Sequence, residues 1–302
     1  MTLTYLPDSA GRKSFGCDPM TFLVTGATGM LGQDLQQVLA GRPVTALGRN
    51  DLDVTDLGAV QAAVAGHDVV VNCAAYTRVD DAETHEDAAF AVNATGAGNL
   101  ALAAARHGAK LVQLSTDYVF DGRARKPYPE NASRNPVSAY GRTKAEGERL
   151  ALELNPGRTF VVRTAWLYGA NGPNFAKTMV RLARTNDTVS VVDDQLGQPT
   201  WTLDLARHIV AMIDAGAASG IYHATNSGQA SWYEFARAVF SVAGLDPDRV
   251  KPTSSAQFVR PAPRPAYSVL GHAAGHPPGL APMRSWRKAL ADAAKRGVLE
   301  HA

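Results

Sequence analysis

The chain has 302 residues, 45% hydrophobic and 19% charged, with a formal net charge of +2. That length allows one large α/β domain or a large domain with a smaller one, and the composition excludes global disorder. The near-neutral charge gives no electrostatic basis for nucleic acid or a membrane surface as partner, and the two cysteines, Cys17 and Cys73, are too few for a disulfide framework or a structural zinc site. No apolar stretch reads as long enough to span a bilayer, and residues 1–19 lack the apolar run of a signal peptide. Met20 directly precedes the first predicted strand, so residues 1–19 read as a poorly ordered extension and the cytoplasm as the location.

Apolar runs then alternate with helical stretches. Phe22–Thr25 reads as a strand and Leu31–Leu39 as a helix with Leu31, Leu35, Val38 and Leu39 on one face. Val44–Leu47 and Val69–Asn72 read as the second and third strands, and Thr84–His107 as a long alanine-rich helix interrupted near Gly96 and Gly98. Residues 111–115 form the fourth strand and Phe160–Arg163 the fifth, with a helix over 138–154 between them. Strands separated by helices imply parallel pairing, and nearly all-apolar strands imply helices on both faces. The expectation is a doubly wound parallel (Rossmann) sheet over 20–165, joined by part of 186–225, with a smaller interleaved α/β substrate-binding part over most of 166–302. In that part Phe175–Thr185, Thr202–Ile213, Trp232–Val242 and 284–296 read as helices, Val189–Val192 and Gly220–Thr225 as strands, and 251–282 as mostly loop because prolines crowd it.

The chemistry begins at Gly26-x-x-Gly29-x-x-Gly32. Glycines between a strand and a helix let backbone close under a pyrophosphate at the helix N-terminus. Without their context, an ordinary tight turn is the commoner reading of such glycines. At the end of the second strand Arg49 stands where a carboxylate often holds the adenine ribose. A guanidinium there pairs with a 2′-phosphate, which favours NADPH over NADH; a solvated surface arginine fits equally. Asp53 suits an adenine amino group or a simple turn. Asn72-Cys73-Ala74-Ala75-Tyr76 offers small residues for close backbone approach to a cofactor, or for tight helix–sheet packing. Ser115, Thr116 and Asp117 follow a buried strand at the ligand-binding edge, where a hydroxyl can hydrogen-bond a carbonyl oxygen that gains charge. In Tyr140-x-x-x-Lys144, positions i and i+4 share a helix face at about 6 Å between Cβ atoms. An ammonium so placed is expected to lower the phenol from its usual pKa of about 10 and to make Tyr140 an acid or base near neutrality.

Together these motifs resemble the extended short-chain dehydrogenase/reductase superfamily, and more finely the dTDP-4-dehydrorhamnose reductase family. The resembling stretches are Val71–Glu83, Ser115–Gly122, Arg163–Gly169, Asn174–Met179, Asp194–Thr200, Gly220–His223 and Arg260–Ser268, over roughly 21–270. The resemblance implies an NADPH-dependent reductase, NADH remaining possible, of the 4-keto group of a dTDP-4-keto-6-deoxy-L-hexose. It implies Tyr140 as proton donor, Lys144 on the nicotinamide ribose, Thr116 on the sugar carbonyl, Asp117 on the hexose and Trp166 packed against the substrate. Gly29-Met30-Leu31, Asp53-Val54 and Ala74-Ala75-Tyr76 would line the dinucleotide. Without the resemblance, Trp166 reads as a core aromatic. His223 and the other histidines read as structural.

Residues 1–19 have no counterpart in the family pattern, and Ala165 stands where a serine often precedes the tryptophan. Some family members bind magnesium at a dimer interface through C-terminal acids. The stretch 271–302 offers few, so neither metal nor that dimer is expected, and the partner besides the dTDP-sugar is at most a second copy of the chain. Two other classes resemble this pattern: redox-neutral nucleotide-sugar epimerases or dehydratases, and non-catalytic regulatory subunits of methionine adenosyltransferase.

Overall fold

The computed structural model describes residues 19–272 and 280–299. The expectation for residues 1–19 therefore lies, apart from Pro19, outside the described residues, as does the part of the divergent C-terminal stretch at 273–279 and 300–302.

The chain opens with β1 (Phe22–Thr25), α1 (Met30–Val38) and β2 (Val44–Leu47). Then comes α2 (Leu57–Val64), whose N-terminus is capped by the Asp56 carboxylate accepting from the N–H groups of Gly58 and Ala59. Next are β3 (Val69–Asn72) and a helical run in three parts: α3 (Glu86–Phe90), a π-helical turn over Ala91–Thr95, and α4 (Gly96–His107). β4 (Lys110–Thr116), α5 (Ala139–Leu154) and β5 (Thr159–Thr164) complete this half. There follow β6 (Leu167–Tyr168), α6 (Phe175–Thr185), β7 (Val189–Val192), β8 (Leu196–Gly197), β9 (Thr200–Trp201) and α7 (Thr202–Asp214). The described chain closes with β10 (Gly220–His223), β11 (Ala230–Ser231), α8 (Trp232–Val242), β12 (Val250–Thr253) and α9 (Trp286–Lys295).

Six strands form a parallel sheet in the order β10-β5-β4-β3-β1-β2. Side chains alternate across it. Phe22, Val24, Val69, Val71, Val112, Leu114, Phe160 and Val162 meet α1 and α7 on one face. Leu23, Val70 and Leu111 meet α2, α4 and α5 on the other. The chain steps from β1 outward to β2, then returns to β3 on the far side of β1. Such a reversal leaves a crevice beyond the carboxyl ends of β1 and β3, where ligands of doubly wound sheets bind.

The smaller part holds three two-stranded pairs, β7–β12, β6–β9 and β8–β11. With α6, α8 and α9 they enclose Tyr168, Trp201, Phe235, Phe240 and Trp286. The two parts interleave, since α7 packs on α1 and β10 extends the main sheet beside β5.

Three details differ from the sequence reading. β12 falls in a segment read as loop; Pro252 is tolerated there because the strand pairs only with β7 and keeps an open edge. The long helix breaks through a π-helical turn rather than at its glycines, and Gly96 serves close packing: a Cβ there would stand 2.6 Å from Val54 Cγ2. Finally, Glu86–His107 is 22 residues long and its most apolar 18-residue window has a mean hydropathy of 1.2, enough by length and composition to cross a membrane. The run is apolar because small alanines pack against the sheet and neighbouring helices, and 61% of its most apolar part is buried inside the protein.

Candidate active site

A cavity of about 540 Å³ opens at the carboxyl edge of the main sheet, at the switch point. One end is the glycine turn: Gly26, Gly29, Met30, Leu31 and Gly32 all line it. Gly26 has φ +63, and a Cβ on it would lie 2.6 Å from the Ala74 nitrogen. A Cβ on Gly32 would lie 2.5 Å from the Gly26 oxygen. Both obstacles are backbone, so only glycine fits. No side chain caps α1 at Gly29. Its leading N–H groups and the positive end of its dipole face a cradle that suits a pyrophosphate.

Next to the turn lie the strand-end hydroxyls. Thr116 ends β4 in register with Thr164 of β5. Its Oγ1 donates to Asp117 Oδ1 at 3.0 Å and accepts from the Tyr118 N–H at 3.2 Å. Asp117 is 2% exposed, and its Oδ2 has no hydrogen-bond partner. Burial pushes this carboxyl up to about 6, against the pull of the nearby Ser268 and Thr116 hydroxyls.

Tyr140 and Lys144 both line the cavity from α5, whose start is fixed by Ser138 accepting from the Gly141 N–H at 3.1 Å. The Tyr140 ring meets Tyr118 edge-on at 5.6 Å. The expected lowering of the phenol is not what the structure shows. Burial pushes Tyr140 up to about 12; the Thr116 hydroxyl opposes this and the Asp117 carboxylate adds to it. Lys144 is turned to another partner, donating from Nζ to the Leu114 carbonyl at 2.6 Å, and is 3% exposed. Burial lowers it to about 8, with Glu148 and Cys73 acting in the opposite direction. The surroundings therefore hold Tyr140 as a protonated phenol, the form a proton donor needs.

Behind Lys144 lies a buried ionic cluster on the same helix stripe. Glu148 accepts from Arg163 Nε and Nη2, each at 2.8 Å, and from Ser115 Oγ at 2.5 Å. Arg163 Nη1 donates to the Glu130 carbonyl at 3.0 Å and meets His223 Nε2 at 3.3 Å. His223 Nδ1 donates to the Gly271 carbonyl at 2.6 Å, and burial lowers the ring to about 3, so it is neutral and structural.

Trp166 lines the cavity with φ +46, the single non-glycine residue at positive φ among the described residues. Left-handed backbone costs a bulky residue on the order of 1–2 kcal/mol. Trp232, read from the sequence only as part of an amphipathic helix, lines the same wall. So do Cys73 and Ser115, from the strand ends offered by the sequence, and Thr77, Val79, Tyr118 and Leu167, which the sequence did not single out; position beyond a strand end was the signal they carried.

Ala75 lines the cavity, whereas Ala74, Tyr76, Arg49, Asp53 and Val54 lie outside its lining. Ala74 backs Gly26. The Tyr76 hydroxyl is bound to Asp81, and its N–H donates to Asn93 Oδ1 at 2.8 Å. Asp53 accepts from the N–H and hydroxyl of Thr55, and the Val54 carbonyl accepts from Asn99. Arg49 is exposed beyond β2, next to Gly48, whose Cβ would stand 2.8 Å from Thr28 Cγ2 of the glycine turn. No group of three or more His, Cys, Asp or Glu side chains arranged to hold a metal occurs among the described residues. A second cavity of similar size between α8 and α9 shares no lining residue with the first; its Arg237 pairs with Asp248.

The family model of the RmlD substrate binding domain matches residues 20–298. A dTDP-4-keto-6-deoxy-D-glucose reductase of Streptomyces niveus is 51% identical over 276 residues, 90% of this chain and 96% of that one. A dTDP-4-dehydrorhamnose reductase of Streptomyces griseus is 52% identical over 279 residues, 90% of this chain and 92% of that one. The crystal structure of dTDP-4-dehydrorhamnose reductase from Bacillus anthracis in complex with NADP superposes with a TM-score of 0.88 at 39% identity, over 92% of this chain and 99% of that one. With its glycine turn, strand-end threonine and Tyr-Lys helix all on one cavity, the chain belongs to the dTDP-4-dehydrorhamnose reductase family within the extended short-chain dehydrogenases/reductases.

Proposed function

We propose that this protein reduces the 4-keto group of a dTDP-4-keto-6-deoxy-L-hexose with NADPH. The step is dTDP-4-dehydro-L-rhamnose to dTDP-L-rhamnose, or the closely related deoxysugar step of streptose or antibiotic sugar synthesis. The observation that carries this reading is the convergence of Thr116, Tyr140 and Lys144 on a cavity that ends in the glycine turn.

When bound, the reduced nicotinamide supplies the hydride. The residues do the rest. Backbone N–H groups at Gly29-Met30-Leu31 hold the pyrophosphate, with Gly26 and Gly32 providing the room. Arg49 and Asp53-Val54, beside the glycine turn at the end of β2, take the adenosine end, Arg49 meeting the 2′-phosphate. Ala74, Ala75 and Tyr76 shape the path of the dinucleotide. Lys144 donates to the nicotinamide ribose. Thr116 turns its hydroxyl from Asp117 to donate to the sugar carbonyl oxygen, and Tyr140 donates to the same oxygen and then protonates it. Asp117 orients the hexose and Trp166 packs against it. We place this enzyme in the cytoplasm, as a monomer or a homodimer, acting without a metal.

The test is stoichiometric oxidation of NADPH by the purified protein with a panel of dTDP-4-keto-6-deoxyhexoses, NADH being run alongside. Net consumption of NADPH supports the reading. Sugar conversion without net consumption, by protein that retains its cofactor, would make it a redox-neutral epimerase or dehydratase.

A further inference from the structure

Four tryptophans divide into two pairs. Trp201 and Trp286, 2% and 3% exposed, are sealed in the core of the smaller part. Trp166 and Trp232 are only half-buried and line the cavity. Their rings stack with centroids 3.6 Å apart and planes 7° from parallel.

Several independent features hold this pair in place. Trp166 keeps a left-handed φ of +46, which a tryptophan adopts only where its surroundings impose it. Its carbonyl accepts from the Thr200 N–H at 3.2 Å. Gly197 makes room for its ring: a Cβ there would lie 2.4 Å from Trp166 Cε2 and 2.6 Å from Nε1. Gly197 pairs with Ala230, two residues before Trp232, so one short ladder positions both indoles. Ser231 and Glu234 close a reciprocal cap that fixes the first turn of α8, in which Trp232 sits. Phe175 supports Trp232 from behind at 4.5 Å.

The position says what the wall faces. Thr116 and Thr164 are register partners on β4 and β5, and Trp166 follows Thr164 by two residues. The indole pair therefore stands just past the end of β5, on the same cavity wall as the hydroxyl assigned to the sugar carbonyl. A 6-deoxyhexose presents C–H faces and a methyl group, which an aromatic wall accepts and water does not.

We propose that Trp232 is a substrate-contacting residue that forms, with Trp166, a double-indole wall for the hexose ring of the dTDP-sugar. This rests on the reading of the chain as a dTDP-hexose reductase. The wall serves the hexose and not the thymine base, because it adjoins the carbonyl-binding hydroxyls.

The test compares Trp232→Leu and Trp232→Phe with the unaltered protein in NADPH oxidation, with dTDP alone as competitive inhibitor. Loss of an apolar contact of this size raises KM for the sugar nucleotide about tenfold or more in Trp232→Leu, and less in Trp232→Phe. The inhibition constant of dTDP and the Kd of NADPH stay unchanged. An unchanged KM in either folded variant overturns the inference while leaving the reductase reading intact. A parallel weakening of dTDP inhibition also overturns it, assigning the wall to the base. If the unaltered protein oxidises NADPH with no dTDP-4-keto-6-deoxyhexose, the reading beneath the inference falls with it.

Discussion

Lys144 on α5 donates from Nζ to the carbonyl of Leu114 on β4, at 2.6 Å. That bond ties the Tyr140 helix to the strand that ends in Thr116, and it holds the ammonium away from bulk water. Burial lowers Lys144 from its usual 10.5 to about 8. A lysine lowered in this way is charged below that pH and loses its proton as pH rises through it. The value of kcat/KM for NADPH reports ionisations of the free enzyme. It should be level near neutrality and fall above a pH of about 8. A pH–rate profile that stays level far above that point contradicts the assignment of Lys144 to the cofactor.

Glu148 and Arg163 form a bidentate pair whose side chains are 0% and 1% exposed. Removing one partner of such a pair leaves the other charge buried, at a cost of about 3–5 kcal/mol. Glu148→Gln should lose stability on that scale in urea unfolding. Arg149→Ala breaks contacts to Glu146 and Glu153 made by a side chain 47% exposed. It should lose far less, since solvent screens exposed pairs. Equal losses in the two variants would contradict the structural role given to the buried pair.

Asp117 has its carboxyl raised from 3.8 to about 6 by burial. A raised carboxyl pKa means the folded protein binds the proton more tightly than the unfolded chain. The resulting destabilisation is full above a pH of about 6 and disappears below 3.8. The stability of Asp117→Asn relative to the unaltered protein should therefore improve as pH rises from 4 to 6. Unfolding titrations across that window check the sign; a pH-independent difference contradicts it. Activity of the same variant should fall on the proposed role of Asp117 in orienting the hexose.

Arg49 is exposed beyond β2. Losing one exposed charge-assisted contact to a phosphate costs about 1.5–3 kcal/mol. Arg49→Ala should weaken NADPH binding about tenfold or more and leave NADH binding unchanged. A parallel loss for both cofactors would mean that Arg49 does not meet a 2′-phosphate.

The main sheet was legible because its strands are short apolar runs, β1 and β3 fully buried and the edge strand β2 partly so: Phe22–Thr25, Val44–Leu47 and Val69–Asn72 read as strands with the bounds the structure has. The two-residue strands Leu167–Tyr168 and Thr200–Trp201 were not, since they exist only because tertiary packing sets them side by side. α2 escaped because eight residues rich in alanine and glycine carry little periodicity; the Asp56 cap was its local mark. In the site, Gly26, Thr116, Tyr140 and Lys144 stood out through spacing. Trp232 did not, because a half-exposed indole at a helix start scores as core in any apolar count. The direction of the Tyr140 shift was also beyond spacing: i and i+4 place two side chains on one face, but burial, which spacing does not reveal, raises the phenol, and the carbonyl of Leu114, distant in sequence, takes the ammonium.

In the proposed mechanism Tyr140 protonates the oxygen of the reduced sugar carbonyl. Steady-state NADPH oxidation by Tyr140→Phe, with a dTDP-4-keto-6-deoxy-L-hexose that the unaltered protein reduces, tests it most directly. The expected result is a fall in kcat of about 10²–10⁴ with the Kd of NADPH nearly unchanged. Turnover close to that of the unaltered protein would contradict it.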